Sequence, residues 1–356
     1  MLLNIASFIF VLGILIFIHE LGHFLLAKRV GIRVDQFSLG FPPHLFKRKW
    51  GGTEYCIGVI PLGGYVKMAG ENPGEERSGS PDEFMSKTVG QRAAVIFAGP
   101  FMNYLLAIAL LIGIAWLAGR PVFDTTRVLV GKVEKDTPAA KAGLQTGDQI
   151  IAINGEAVAN FDSAAAKITP HIDAPITVTW IHAGDTVTRE MVTEAQPRPN
   201  ARGGIDTVGV IGFTQKAVGT ERVGLLTGMR HGFVEAHQLV WFTVKFVKQL
   251  ITAEVSVKMV GGPVFIARES GRQAQQGAAN LFYFMALLSV NLAVLNILPI
   301  PVLDGGHLLF LAIERLKGSP LSMRARVIAQ QVGIVAILAL VLLVTYNDIL
   351  RVIRGM

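Results

Sequence analysis

Cysteine is almost missing from this chain. Cys56 stands alone among 356 residues, which excludes an intramolecular disulfide framework and a zinc site built on thiolates. Charge is scarce too. Asp, Glu, Lys and Arg make up 17% of residues against 51% hydrophobic, and mean hydropathy is +0.47. That balance excludes an ordinary soluble enzyme and calls for membrane spans. Basic residues are not interleaved with aromatics, so the formal charge of +7 points to cytoplasmic loops and lipid headgroups and away from nucleic acid. The N-terminal apolar run has no basic segment before it and no small-residue cleavage site after it, so no cleavable signal peptide is expected. Matching halves with charges along several spans, the mark of a metal transporter, are also missing.

What is present begins with four apolar runs, 2–27, 93–118, 281–298 and 327–344. Each is long enough as a helix to cover roughly 30 Å of hydrocarbon. Lys28, Arg29, Arg33, Lys47, Arg48 and Lys49 are among the basic residues between the first and second runs. Arg315, Lys317, Arg324 and Arg326 lie between the third and fourth. Positive loops favour the cytoplasm. Both termini and the long middle segment are then expected outside, with Arg351 and Arg354 mildly opposed. The chain divides into a first half of a membrane core (1–118), a soluble insert (125–197), a helical interfacial region (208–280) and a second half of the core (281–356).

The first run carries His19-Glu20-Leu21-Gly22-His23. Two histidines four apart share one helix face, so both imidazoles can bind one Zn²⁺ while Glu20 takes a proton from water. From Leu2 to Ala27 these are the only ionisable side chains, and such groups inside a span are costly. The bland alternative is a helix end whose polar residues reach the headgroups. The third run ends in Pro299-Ile300-Pro301-Val302-Leu303-Asp304-Gly305. The prolines force the backbone to unwind at about the level of His19. Asp304 can then complete a three-ligand site with His19 and His23, leaving a position open. A helix N-cap is the structural alternative for Asp304, and His307 is an alternative ligand. A non-catalytic scaffold with structural zinc is the rival function. It would need a fourth protein ligand, whereas the sequence offers three and a free glutamate.

Three further stretches bear on the site. Residues 54–68 read as two short strands around a Pro/Gly turn, apolar enough to dip as a hairpin into the membrane beside the zinc. A plain surface hairpin is the alternative. The polar stretch 71–87 that follows is expected to be mobile. The second run opens with Gly99-Pro100-Phe101-Met102-Asn103, where Asn103 needs a partner across to the first helix unless the segment is only a packing kink. Residues 239–251 are apolar but interrupted by Lys245 and Lys248, which suits a helix lying in the interface.

The insert contains Pro138-Ala139-Ala140-Lys141-Ala142-Gly143-Leu144-Gln145-Thr146-Gly147-Asp148, then a tight Asn154-Gly155 turn. This resembles a PDZ domain, a fold that binds extended peptide ends at a sheet edge. It serves here either to hold a peptide C-terminus or as a spacer. Taken together, His-Glu-x-x-His in the first span, Gly-Pro-x-x-Asn in the second, the outer PDZ and Asn-x-x-Pro-x-Pro-x-Leu-Asp-Gly in the third resemble the site-2 protease family of intramembrane zinc metalloproteases, of the proteobacterial sigma-E regulating type. The resemblance implies a polytopic α-helical membrane protein with four transmembrane helices, a membrane-reentrant β-hairpin and one inserted extracytoplasmic PDZ domain (α+β). It implies a bacterial inner-membrane enzyme with its site toward the cytoplasm. His19, His23 and Asp304 would bind Zn²⁺, Glu20 would be the catalytic acid/base and Asn296 would contact substrate. Gly64, Tyr65, Val66, Lys67 and Met68 would form the reentrant edge. Expected partners are membrane lipid and single-pass transmembrane proteins, such as an anti-sigma factor or remnant signal peptides, cut after a first extracytoplasmic cleavage. Two tandem PDZ domains are usual in this type, and one is read here.

Overall fold

A computed structural model describes residues 2–71, 79–199 and 205–353. Residues 72–78 of the polar stretch expected to be mobile, Arg77 among them, and Arg354 lie outside the described residues. The chain runs α1 (Leu2–Arg29), β1 (Val34–Trp50), β2 (Thr53–Met68), α2 (Val89–Leu117), β3 (Arg120–Phe123), β4 (Val128–Val133), α3 (Pro138–Lys141), β5 (Gln149–Ile153), β6 (Glu156–Ala157), α4 (Phe161–Ile168), β7 (Pro175–His182), β8 (Asp185–Val192), β9 (Glu194–Pro199), β10 (Ile205–Val210), β11 (Phe213–Gln215) and β12 (Ala217–Glu221). Five helices complete it: α5 (Leu225–Ile251), α6 (Pro263–Gln276), α7 (Ala278–Ile297), α8 (Asp304–Lys317) and α9 (Met323–Ile353). Two compact units result, Met1–Ile114 with Leu226–Met356, and Ala115–Leu225.

In the first unit, Leu2–Arg29, Val89–Leu117, Ala278–Ile297 and Met323–Arg351 are long and apolar enough to cross a membrane. Small residues set how closely they approach. A Cβ on Gly22 would lie 2.3 Å from the Ala98 carbonyl oxygen, so α1 and α2 meet backbone to backbone there. Val11 and Leu15 of α1 pack against Met285 of α7. At the opposite end from Arg29, the buried Asp348 carboxylate of α9 accepts from the Gly262 and Phe265 amides, at 3.2 and 2.8 Å, and so caps α6.

Two expectations are corrected in this unit. Residues 54–68 do not pair with each other as a hairpin. The first part of β1 lies between them: Phe37 pairs with Val66 on one side and Tyr55 on the other, and Ser38 with Tyr65 and Cys56. The later part of β1, His44 to Trp50, pairs with Gly58 to Thr53. The four segments thus order as 44–50, 53–58, 34–39 and 64–68, with 64–68 at one edge. Within β1 a cis Pro42–Pro43 bond separates the part that pairs on both sides from the part that pairs on one. The second correction concerns α5, which packs lengthwise against α2 and α7 rather than lying apart as an interfacial helix. Ala236 joins Ala107, Leu111, Ala286 and Val290 in one buried cluster. Tyr104 Oη and His237 Nδ1 stand 2.8 Å apart, and Thr243 Oγ1 donates to Asn291 Oδ1 at 2.8 Å. Gly228, Gly232 and Ala236 are buried at every fourth position, and a Cβ on Gly232 would meet the Ile112 backbone nitrogen at 2.7 Å. That small-residue stripe is the physical reason.

The second unit is built on the strand order β11-β4-β5-β7-β8, with β6 on β5. Its apolar residues alternate inward, and Val128, Val130, Ile150, Ile153, Ile176, Val178 and Trp180 are each 1% exposed or less. Each such burial contributes roughly 1.5–3 kcal/mol. Thr137 caps α3, which opens on Pro138, and Asn160 with Ser163 forms a capping box on α4. The unit does not end at Pro197 as read from sequence. Phe213 pairs with Val133 and completes the main sheet, and β3 pairs with β12 where the chain enters and leaves.

Candidate active site

The site grows from the C-terminal half of α1. His19 and His23 fall one turn apart on its buried face, and Glu20 follows His19. Opposite them, α7 stops at Ile297, and residues 298–303 cross to α8 without regular structure. Gly305 and Gly306 make this turn possible. A Cβ on either would lie 2.1 Å from the Leu298 carbonyl oxygen or 2.3 Å from that of Ile300. Leu303 occupies the cap position of α8 and makes no side-chain cap bond. Asp304 is therefore the first helical residue and not the N-cap, and its carboxylate faces the imidazoles.

His19 Nε2 is 3.1 Å from Asp304 Oδ2, His23 Nε2 is 3.6 Å from Asp304 Oδ1, and the two Nε2 atoms are 3.2 Å apart. Ligand atoms about 2.0–2.2 Å from a tetrahedral zinc stand about 3.3–3.6 Å from one another, so spacing and donor chemistry both fit that ion. Among the described residues this is the one group of three metal-ligating side chains. His307, the alternative ligand, is not in it. It lines the same cavity from α8, and burial holds its imidazole below the usual histidine range. Asn296 is half-buried on the last turn of α7 and is not among the residues lining the cavity.

That cavity is about 650 Å³ and is bordered by His19, Glu20, His23 and Asp304 together with Gly64 to Met68. The strand edge thus stands beside the acidic residue. A Cβ on Gly64 would come 3.1 Å from Glu20 Cγ, and the Val66 backbone lies beside the Glu20 carboxylate. On the same edge the Met68 amide lies 3.4 Å from a Glu71 carboxylate oxygen. Among the described residues no strand pairs with this outer edge.

Three supporting features go further than the sequence reading. The Val95 carbonyl accepts from His23 Nδ1 at 2.9 Å. Gly99 leaves room for both rings, since a Cβ there would lie 2.2 Å from His23 Nε2. Arg92 and Glu314, 222 residues apart and both buried, join the foot of α2 to α8 by two bonds of 2.6 and 3.2 Å, with Arg326 Nη2 3.7 Å from Glu314. The available signal for that pair was a lone arginine at the mouth of an apolar run and a lone glutamate on an amphipathic helix.

Comparison with known proteins adds the following. The model of Peptidase family M50 matches residues 7–340. Zinc metalloprotease RasP of Geobacillus kaustophilus is 32% identical, covering 97% of each chain. RasP of Bacillus licheniformis is 30% identical over 98% of this chain and 99% of its own. Regulator of sigma-E protease RseP of Escherichia coli is 30% identical over 98% of each, in an alignment of 453 positions against 356 residues here. A solved PDZ domain from Listeria monocytogenes matches at 22% identity over 26% of this chain and 90% of that one, with a TM-score of 0.20.

Proposed function

The chain belongs to peptidase family M50 and is a zinc metalloprotease, and from the geometry around His19 we propose that it hydrolyses peptide bonds within or beside the transmembrane segment of single-pass membrane proteins. The observation that carries this reading is the meeting of His19, His23 and Asp304 from two apolar stretches of chain, next to a glutamate outside that group and a strand edge on which, among the described residues, no other strand lies.

His19, His23 and Asp304 would hold the zinc. When bound, it supplies Lewis acidity toward a water molecule and the scissile carbonyl. Glu20 takes the proton from the attacking water and returns it to the leaving amine. The Val66 amide, beside Glu20, is proposed to steady its carboxylate between these two tasks. A substrate helix hides its carbonyls in internal hydrogen bonds, and once unwound its backbone groups need new partners. The edge Gly64–Met68 offers them by strand addition. Substrates with weak helix formers near the cut are therefore preferred, and Asn296 is proposed to contact them near the scissile bond.

Exposed apolar side chains along α9, Val332, Val335, Leu338 and Leu342 among them, support immersion in lipid. The basic loops support a cytoplasmic site in the bacterial inner membrane, with both termini periplasmic. The sheet formed by 34–68 is proposed to reenter the membrane. The unit Ala115–Leu225 is proposed to be a periplasmic PDZ domain that restricts cutting to proteins already trimmed outside, such as an anti-sigma factor or remnant signal peptides, and that takes a peptide C-terminus if it binds one. The test is Glu20→Gln, assayed on a membrane-embedded reporter. Cleavage should fall by about 10²–10⁴-fold while zinc content stays unchanged; undiminished cleavage would refute the assignment of Glu20.

A further inference from the structure

We infer that Asn103 is a positioning residue that selects which nitrogen of His19 is free for the metal. The inference rests on the proposed zinc site of His19, His23 and Asp304.

Both imidazoles direct Nε2 at Asp304. A neutral imidazole that ligates through Nε2 carries its proton on Nδ1, and a buried N–H of that kind needs an acceptor. For His23 the acceptor is the Val95 carbonyl, 2.9 Å away. His19 lies one turn further along α1 and faces a later turn of α2. Val95, Gly99 and Asn103 recur at every fourth position of α2, so one stripe of that helix backs both rings. Its middle member has no side chain because the rings occupy the space: a Cβ on Gly99 would also lie 2.8 Å from His19 Cε1. At the His19 end the Asn103 carbonyl already accepts from Ser289 Oγ at 2.7 Å. The Asn103 side chain takes its place. It is 0% exposed, and its amide meets His19 Nδ1 at 3.3 Å.

The two orientations of this amide correspond to two states of the site. With Nδ2 toward the ring, the amide donates to Nδ1, and the His19 proton moves to Nε2. The proton then points at Asp304 and His23, and the lone pair needed for a metal is lost. With Oδ1 toward the ring, the amide accepts from Nδ1–H, and Nε2 presents its lone pair beside that of His23. The oxygen and nitrogen of an amide are told apart only by their hydrogen bonds. Oδ1 is buried and has no partner when turned away. It is the acceptor that the His19 N–H requires, and the ligating state is the one with Oδ1 on Nδ1–H.

The experiment uses the full chain in lipid nanodiscs. Nitrogen NMR of histidine-labelled, zinc-loaded protein should show ring protons on Nδ1 of both zinc-bound histidines, with the His19 signal the one that shifts in Asn103→Asp. A proton on Nε2 would overturn the inference. Zinc affinity by chelator competition should fall by about 10–100-fold in Asn103→Leu, which removes the acceptor at similar size, and recover in Asn103→Asp, which keeps it. Wild-type affinity in Asn103→Leu, or an aspartate variant as weak as the leucine one, would equally overturn it. If the wild-type chain binds no zinc, the metal-site reading itself fails; zinc binding that ignores Asn103 fails the inference alone.

Discussion

The two units of this protein are inverted with respect to each other in where they keep polarity. In the unit Ala115–Leu225, Trp180, Ile150 and Val178 are shut inside, and buried polar groups such as Asp148 and Thr193 serve turns. In the unit that carries the site, Leu338 is 56% and Leu342 70% exposed, while Asn103 and Ser289 are fully buried. Water surrounds the first kind of surface and lipid suits the second. A buried polar residue is costly in either setting. Where the outside is hydrocarbon, however, apolar packing gives little net drive, so the polar interior is where specificity and chemistry collect.

That contrast can be broken most severely at Asp304. Asp304→Ala should lose stoichiometric zinc and reduce reporter cleavage to background, while thermal unfolding of the Ala115–Leu225 unit stays put; a variant that keeps its zinc would remove the carboxylate from the site. A smaller effect is expected at the strand edge. Val66→Pro deletes the N–H beside Glu20, at an edge position that tolerates proline. Loss of one hydrogen bond to a charged group, about 1.5–3 kcal/mol, should slow cleavage by about 10–100-fold with zinc retained. Full activity in that variant would separate Glu20 from the edge. The mildest change for the metal site is Trp180→Ala. It should destabilise the second unit by about 3–5 kcal/mol, leave zinc binding and cutting of trimmed substrates unchanged, and admit untrimmed ones. If untrimmed substrates remain uncut once that unit is unfolded, the gating role is wrong.

The legible parts of the sequence were those written in one local pattern. A 26-residue apolar run with three ionisable groups announces α1 and its site, and Pro-x-Pro before an aspartate announces the unwound turn that delivers Asp304. What could not be read depends on which segments meet. Residues 34–41 and 54–68 hold short apolar strands interrupted by glycine and proline, and such runs specify strand without specifying neighbour. Local reading therefore folded 54–68 on itself as a hairpin, whereas 36–39 lies between its two ends. The α5 helix was misplaced because Lys245 and Lys248 dominate its hydropathy, while its packing is decided by Gly228, Gly232 and Ala236. Asn103 was flagged as needing a partner, but the identity of the nitrogen it serves depends on Val95 and Gly99 standing on the same stripe.

X-ray absorption at the zinc edge, on the full chain in lipid, tests the central claim most directly. The account predicts two imidazoles and otherwise oxygen donors in the wild-type protein, with an altered spectrum or no bound zinc in Asp304→Ala. A sulfur donor, a single imidazole, or an unchanged spectrum in Asp304→Ala would contradict it.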